Sequence, residues 1–106
     1  MDIKKLKNKI EQLSIPEKAI SAFWMSLHKY KSESGDEYNK YFINDDMEKL
    51  EVYISSISLK LGNWPECSYN HLVATIPINY DECHIGEYVV MFSLDGDIDD
   101  DMLNIF

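Results

Sequence analysis

Apolar residues recur first at helical and then at strand spacing. Ile3, Leu6, Ile10 and Leu13 stand three or four positions apart among lysines and other polar residues. That spacing puts them on one stripe of a helix over about residues 2–13. Ser14-Ile15-Pro16-Glu17 follows and reads as a capping box. The serine hydroxyl would accept from the backbone three residues on, and the glutamate would reach back. Pro16 in a first turn removes no helical hydrogen bond. A second helix then carries Ala19, Ile20, Phe23, Trp24 and Leu27 on one face, with Tyr30 a turn further and an end at Ser34-Gly35. Residues 36–48 fit either a short helix or a strand around Tyr38, Tyr41 and Phe42, with a turn at Asn44-Asp45-Asp46.

Beyond that point the period is two. Leu50, Val52 and Ile54 alternate with other residues, and then Ile57, Leu59 and Leu61 take over the apolar positions. The phase slips at Ser55-Ser56. A one-residue slip turns a strand inside out unless an extra residue absorbs it, so a β-bulge is expected there. Gly62-Asn63 closes the strand. Leu72, Ala74, Ile76, Ile78 and Tyr80 share one face of the next. Residues 85–94 place Tyr88, Val90, Phe92 and Leu94 on one face and Val89 and Met91 on the other. Cover on both faces marks that strand as internal. A simple meander makes residues 71–80 central, whereas Pro77 lacks the ladder donor and belongs at an edge or a bulge. The edge, or a bulge near Pro77, is the preferred resolution. Asp99 to Phe106 places acids before Met102, Leu103, Ile105 and Phe106, which suits a short helix with an acidic N-terminus. The expected fold class is α+β: two N-terminal helices packed on an antiparallel sheet of three or four strands. The 106 residues make a single domain, 1–106.

Charge sharpens this picture. The net charge is −9, from 19 acids against 10 bases. Every base is a lysine. Residues 1–60 hold all of the lysines and balance them with acids, whereas residues 61–106 hold nine acids and no base. An AT-rich genome explains scarce arginine, but not why lysine also stops at Lys60. A nucleic-acid binder needs cationic surface, and phosphate or carboxylate chemistry commonly uses bidentate arginine. The balance therefore excludes nucleic acid and anionic membrane as partners and points to a basic one. No apolar run reaches the length of a membrane span. The polar, lysine-rich start lacks the apolar stretch of a secretory signal, and two cysteines make no disulfide framework. The expected compartment is the cytoplasm.

Candidate chemistry is sparse. The run Asp95-Gly96-Asp97-Ile98-Asp99-Asp100-Asp101 invites a calcium loop. Counted from Asp95, however, the glycine and glutamate positions of such a loop fall on Asp100 and Phe106. Cys67, His71, Cys83 and His84 have poor zinc spacing, since adjacent residues on a strand point to opposite faces. They read as buried or half-buried cysteines with ordinary loop histidines. The four glycines are isolated and form no phosphate cradle. No cofactor, metal or catalytic residue is expected, and an enzyme is not. Trp64 and Tyr69, in the stretch from Gly62 to Asn70, are either binding anchors or, for Trp64, a plug over the end of the sheet.

In size, acidity, lack of arginine and helix-helix-sheet order, the whole chain resembles the immunity proteins of bacterial contact-dependent growth inhibition and related polymorphic toxin systems. The resemblance implies a cytoplasmic monomer that binds one cognate toxin domain one-to-one. Such a toxin is often a nuclease, with a ribonuclease favoured, and its basic cleft would be covered by an acidic surface. Barnase and barstar, a ribonuclease and its inhibitor, follow the same electrostatic logic. On that reading Asp95, Asp97, Asp99, Asp100 and Asp101 steer and pair with the partner. Glu66, Asp81, Glu82 and Glu87 extend the patch, and Trp64 and Tyr69 anchor it. The alternatives are an acidic protein-binding adaptor, a DNA-mimic inhibitor and, last, a small enzyme.

Overall fold

The computed structural model describes residues 2–106. Three helices come first: α1 (Ile3–Gln12), α2 (Ile15–Glu33) and α3 (Gly35–Tyr41). Two short 3-10 turns lead into five strands: β1 (Leu50–Glu51), β2 (Ser56–Gly62), β3 (Tyr69–Tyr80), β4 (Cys83–Phe92) and β5 (Ile98–Ile105). The fold is α+β, as the pattern predicts, with one more helix and a larger sheet. All pairings are antiparallel. β3 and β4 are internal, β5 forms one edge, and β1 and β2 share the other by pairing with different parts of β3.

The helical stripes pack on the sheet as expected except for Ile3, which is 74% exposed. Ile15, Ala19, Phe23 and Leu27 of α2 are buried. Leu6 and Ile10 of α1 and Leu13 just after it pack on the core. Beneath α2 lie Leu72, Ala74, Ile76, Ile78 and Tyr80 of β3 and Tyr88, Val90 and Phe92 of β4, all buried. Phe23 meets Tyr88 edge to face at 5.9 Å, and Phe42 stacks on Tyr38 at 4.5 Å between ring centroids. Aromatic pairs in these geometries add to the stabilisation from burial alone.

One helix-terminus expectation fails and one holds. Ser14 is left-handed (φ 56°, ψ 35°) and its side chain makes no capping bond. Only Leu13 and Ser14 separate α1 from α2, so Ser14 supplies the reversal and the capping-box geometry is lost. α2 does end at Ser34-Gly35 as expected, and a further helix follows at once. Ser34 N closes α2 on Tyr30 O, and Tyr38 N then takes Ser34 O to start α3. Residues 36–48 thus resolve as helix and 3-10 turns.

The phase slip at Ser55-Ser56 is real but is absorbed differently. Leu50 pairs with Tyr80 and Glu51 with Asn79, whereas Ser56 pairs with Thr75. Five steps on the edge match four on β3, which is the one-residue insertion required. The insertion spreads over Val52–Ser55, where the ladder is interrupted, so the expected single strand becomes β1 and β2. This interruption also reconciles Pro77 with a central strand. Ser55 N donates to Thr75 O, and Asp81 N donates to Lys49 O. Backbone groups on a strand alternate in direction, so odd-numbered β3 residues face β1 and β2. The absent donor of Pro77 therefore falls against the gap, and a bulge lies just beyond, between Ile78 and Asn79.

The segment from Asp99 to Phe106 is a strand and not a helix. Leu103 pairs with Tyr88 and Ile105 with Gly86, on the side that packs against the core. Met102 and Asn104 alternate with them on the opposite face. That opposite face carries Val73, Thr75 and Pro77 of β3, Val89 and Met91 of β4, and Met102 of β5. The helices cover only the other side of the sheet, and the molecule is a slab of 46 × 25 × 19 Å.

Candidate protein-binding surface

The acidic run is built on a tight turn between β4 and β5. Ser93 N donates to Asp97 O at 2.8 Å, and Gly96 N donates to Ser93 O at 3.0 Å. Ser93 Oγ accepts from the backbone N–H groups of Asp95 and Asp97. Gly96 has φ +92°, a conformation that favours glycine. Its carbonyl accepts from Lys18 Nζ at 2.8 Å, and Leu13 packs against it. The turn is thereby fixed to the corner between α1 and α2, with the Asp95 and Asp97 side chains exposed.

The five aspartates have different environments. Asp99 is the extra residue of a bulge in β5: Met91 pairs with Asp100 and Phe92 with Ile98. Its Oδ2 lies 3.1 Å from His71 Nε2, with the Asp99 side chain 38% exposed. His71 is not a loop histidine. It lies on β3, is 1% exposed, and its Nδ1 has no hydrogen-bond partner among the described residues. Tyr69 meets the His71 ring edge to face at 4.1 Å. Asp100 Oδ1 accepts from Asp101 N at 2.9 Å. Asp101 Oδ2 accepts from the fully buried Tyr88 hydroxyl at 2.7 Å. Burial first, and then Asp101, holds the Tyr88 phenol above its ordinary range, so it stays protonated and donates.

The loop before β3 completes this end of the sheet. Asn63 Nδ2 donates to Ser68 Oγ, Cys67 N to Asn63 O, and Asn70 Nδ2 to Cys67 O. With its backbone closed on itself, the loop displays its aromatics. Trp64 is 75% exposed and Tyr69 56%, so Trp64 does not plug the sheet. Glu66 is exposed in the same loop. Tyr69, His71 and Asp99 join this loop to the acidic strand across the sheet.

The remaining acids lie elsewhere. Asp81 and Glu82 form the β3–β4 turn at the far end of β3, about 36 Å away at ordinary strand rise. Glu87 is half-buried partway along β4, opposite Pro77. The expected patch thus divides into a main group of Asp95, Asp97, Asp99, Asp100, Asp101, Glu66, Trp64 and Tyr69 and outlying acids. The same length of strand separates Cys67, half-buried, from Cys83, exposed, and both are free. Among the described residues no group of three or more His, Cys, Asp or Glu side chains is arranged to hold a metal ion.

Sequence reasoning set His71 aside as a loop histidine, although it shares the odd-numbered phase of Val73 and Thr75 and so was readable as part of a strand. It also missed Ile98 and Met25, exposed apolar residues beside the β5 edge. No family model matches the chain, and neither a curated protein nor a solved structure is similar to it. Among the described residues no helix is long and apolar enough to cross a membrane.

Proposed function

We propose that this chain is a cytoplasmic immunity protein that binds a cognate toxin domain one-to-one and covers a basic active-site cleft. The toxin proposed is a nuclease, with a ribonuclease first. The observation that supports this most is the joining of exposed Trp64 and Tyr69 to the acidic β5 strand at one end of the sheet. Tryptophan and tyrosine are common interface anchors. Carboxylates around them steer a cationic partner and oppose an anionic one.

Growth rescue tests the reading. The chain is co-expressed with the toxin encoded beside it and with unrelated toxins, and rescue from the neighbour alone is expected. A variant with Asp95→Asn, Asp97→Asn and Asp100→Asn spares the His71 and Tyr88 partners. With the cognate toxin it should associate more slowly and with a flatter salt dependence. Unchanged affinity and salt dependence would remove the acidic surface from the mechanism. Binding to a DNA-binding protein without any rescue would replace a toxin partner with a mimicry target.

A further inference from the structure

Hydrogen-bonding parity shows which backbone groups of β5 are free. Odd-numbered β3 residues face β1 and β2, so even-numbered ones face β4. The register then turns Glu87, Val89 and Met91 of β4 toward Asn104, Met102 and Asp100 of β5. Phe106 N donating to Ile85 O at 2.9 Å has the same parity. Asp101, Leu103 and Ile105 therefore point their N–H and C=O groups away from β4, toward an edge with no strand partner among the described residues; the Asp101 N–H is taken by Asp100 Oδ1, and those of Leu103 and Ile105 face the open edge.

This edge has a groove beside it. Two hollows of about 320 and 350 Å³ lie between α2 and β5, both lined by Ala22, Met25 and Ile98. The larger also takes in Lys29 and Asp101. Met25 is 72% exposed, so the helical layer leaves this margin of the sheet uncovered. Natural edges are often blunted by lysine, which discourages pairing with any neighbour. Here Lys18 and Lys29 of α2 line the hollows, while β5 and the turn before it carry no lysine but the acids Asp97, Asp99, Asp100 and Asp101. These acids disfavour an acidic strand and favour a basic one.

We propose that the partner docks by strand addition: an extended basic segment pairs with the free edge of β5. Lysine or arginine alternates in it with aliphatic residues, and the aliphatic side chains enter the groove between α2 and β5. The proposal rests on the partner-binding reading above and names its mode. Main-chain bonds hold such a segment, while alternate side chains give selectivity.

The probe is a blocked octapeptide alternating lysine and valine. A glutamate–valine octapeptide and a proline-interrupted lysine–valine octapeptide serve as controls. Amide hydrogen exchange is read residue by residue on the isotope-labelled full chain. The lysine–valine peptide should slow exchange at Leu103 and Ile105 by about tenfold, and the controls should not. Met25→Arg, at an exposed position, should weaken binding about tenfold. Leu103→Pro should abolish it, because the donor removed faces away from β4. If Leu103→Pro fails to fold, Met25→Arg decides. Equal protection by the glutamate peptide, protection only elsewhere, or full binding by Met25→Arg overturns the proposal. Toxin rescue undiminished in Met25→Arg removes strand addition and leaves the immunity reading. Edge protection without rescue by any toxin does the reverse.

Discussion

Replacing Asp99 by alanine separates a carboxylate that holds the fold from one, Asp97, that does not. His71 is 1% exposed, and Asp99 Oδ2 lies 3.1 Å from its Nε2. Nδ1 has no partner among the described residues, so the substitution leaves both ring nitrogens unpaired. An unsatisfied buried polar group costs about 1–3 kcal/mol. The Coulomb part is discounted because the Asp99 side chain is 38% exposed. A loss of about 1.5 kcal/mol is therefore expected. With a urea dependence of about 1.5 kcal/mol per molar, the unfolding midpoint should fall by about 1 M. Asp97→Ala should stay within about 0.5 kcal/mol of the parent, since its backbone, and not its side chain, is bonded in the turn. Denaturation followed by tryptophan fluorescence and circular dichroism gives both numbers. Coincident midpoints for the two variants would show that His71 does not depend on Asp99.

Gly96→Ala should destabilise by about 1–2 kcal/mol, because φ is +92° and a methyl group would meet Leu13 and Lys18; calorimetry should show melting lowered by about 5 °C or more. Asp45 is held below its ordinary range by Lys31 and then by Tyr38, whose hydroxyl donates to Oδ1 at 2.5 Å. A depressed carboxylate contributes stability above the ordinary carboxylate range and loses it as pH falls through the lowered value. Tyr38→Phe should therefore melt lower at neutral pH, with the gap narrowing in acid, as thermal scans at several pH values would show. Trp64→Ala should change stability by less than about 0.5 kcal/mol, given 75% exposure, yet weaken cognate binding roughly thirtyfold by calorimetric titration.

The sequence pattern made the layers legible because burial imposes a period. Ile15 to Leu27 repeat at helical spacing and Leu72 to Tyr80 at strand spacing, and both stripes meet in the core. The slip at Ser55-Ser56 was visible because two apolar phases cannot share one face. Its outcome, a four-residue gap facing Pro77, depends on the neighbouring strand and so is not local information. Residues 99–106 misled for a similar reason. A helix and an edge strand both accept acids followed by apolar residues, and only pairing with β4 decides between them. The aspartates looked alike because their distinctions come from His71 and Tyr88, on two other strands. Trp64 was ambiguous because the bonds that close its loop on itself fix which way the side chain lies.

The uncovered face of the sheet gives the net charge a colloidal role. Val73, Val89, Met91 and Met102 form an apolar band with no helical layer over it among the described residues. Two such slabs stacked face to face would each hide that band from water. At neutral pH the −9 charge makes the molecules repel one another before they can stack. As the carboxylates protonate, that repulsion fades while the band remains, and self-association gains the advantage. The same acidity that is proposed to select a basic partner would thus keep a one-sided sheet dispersed.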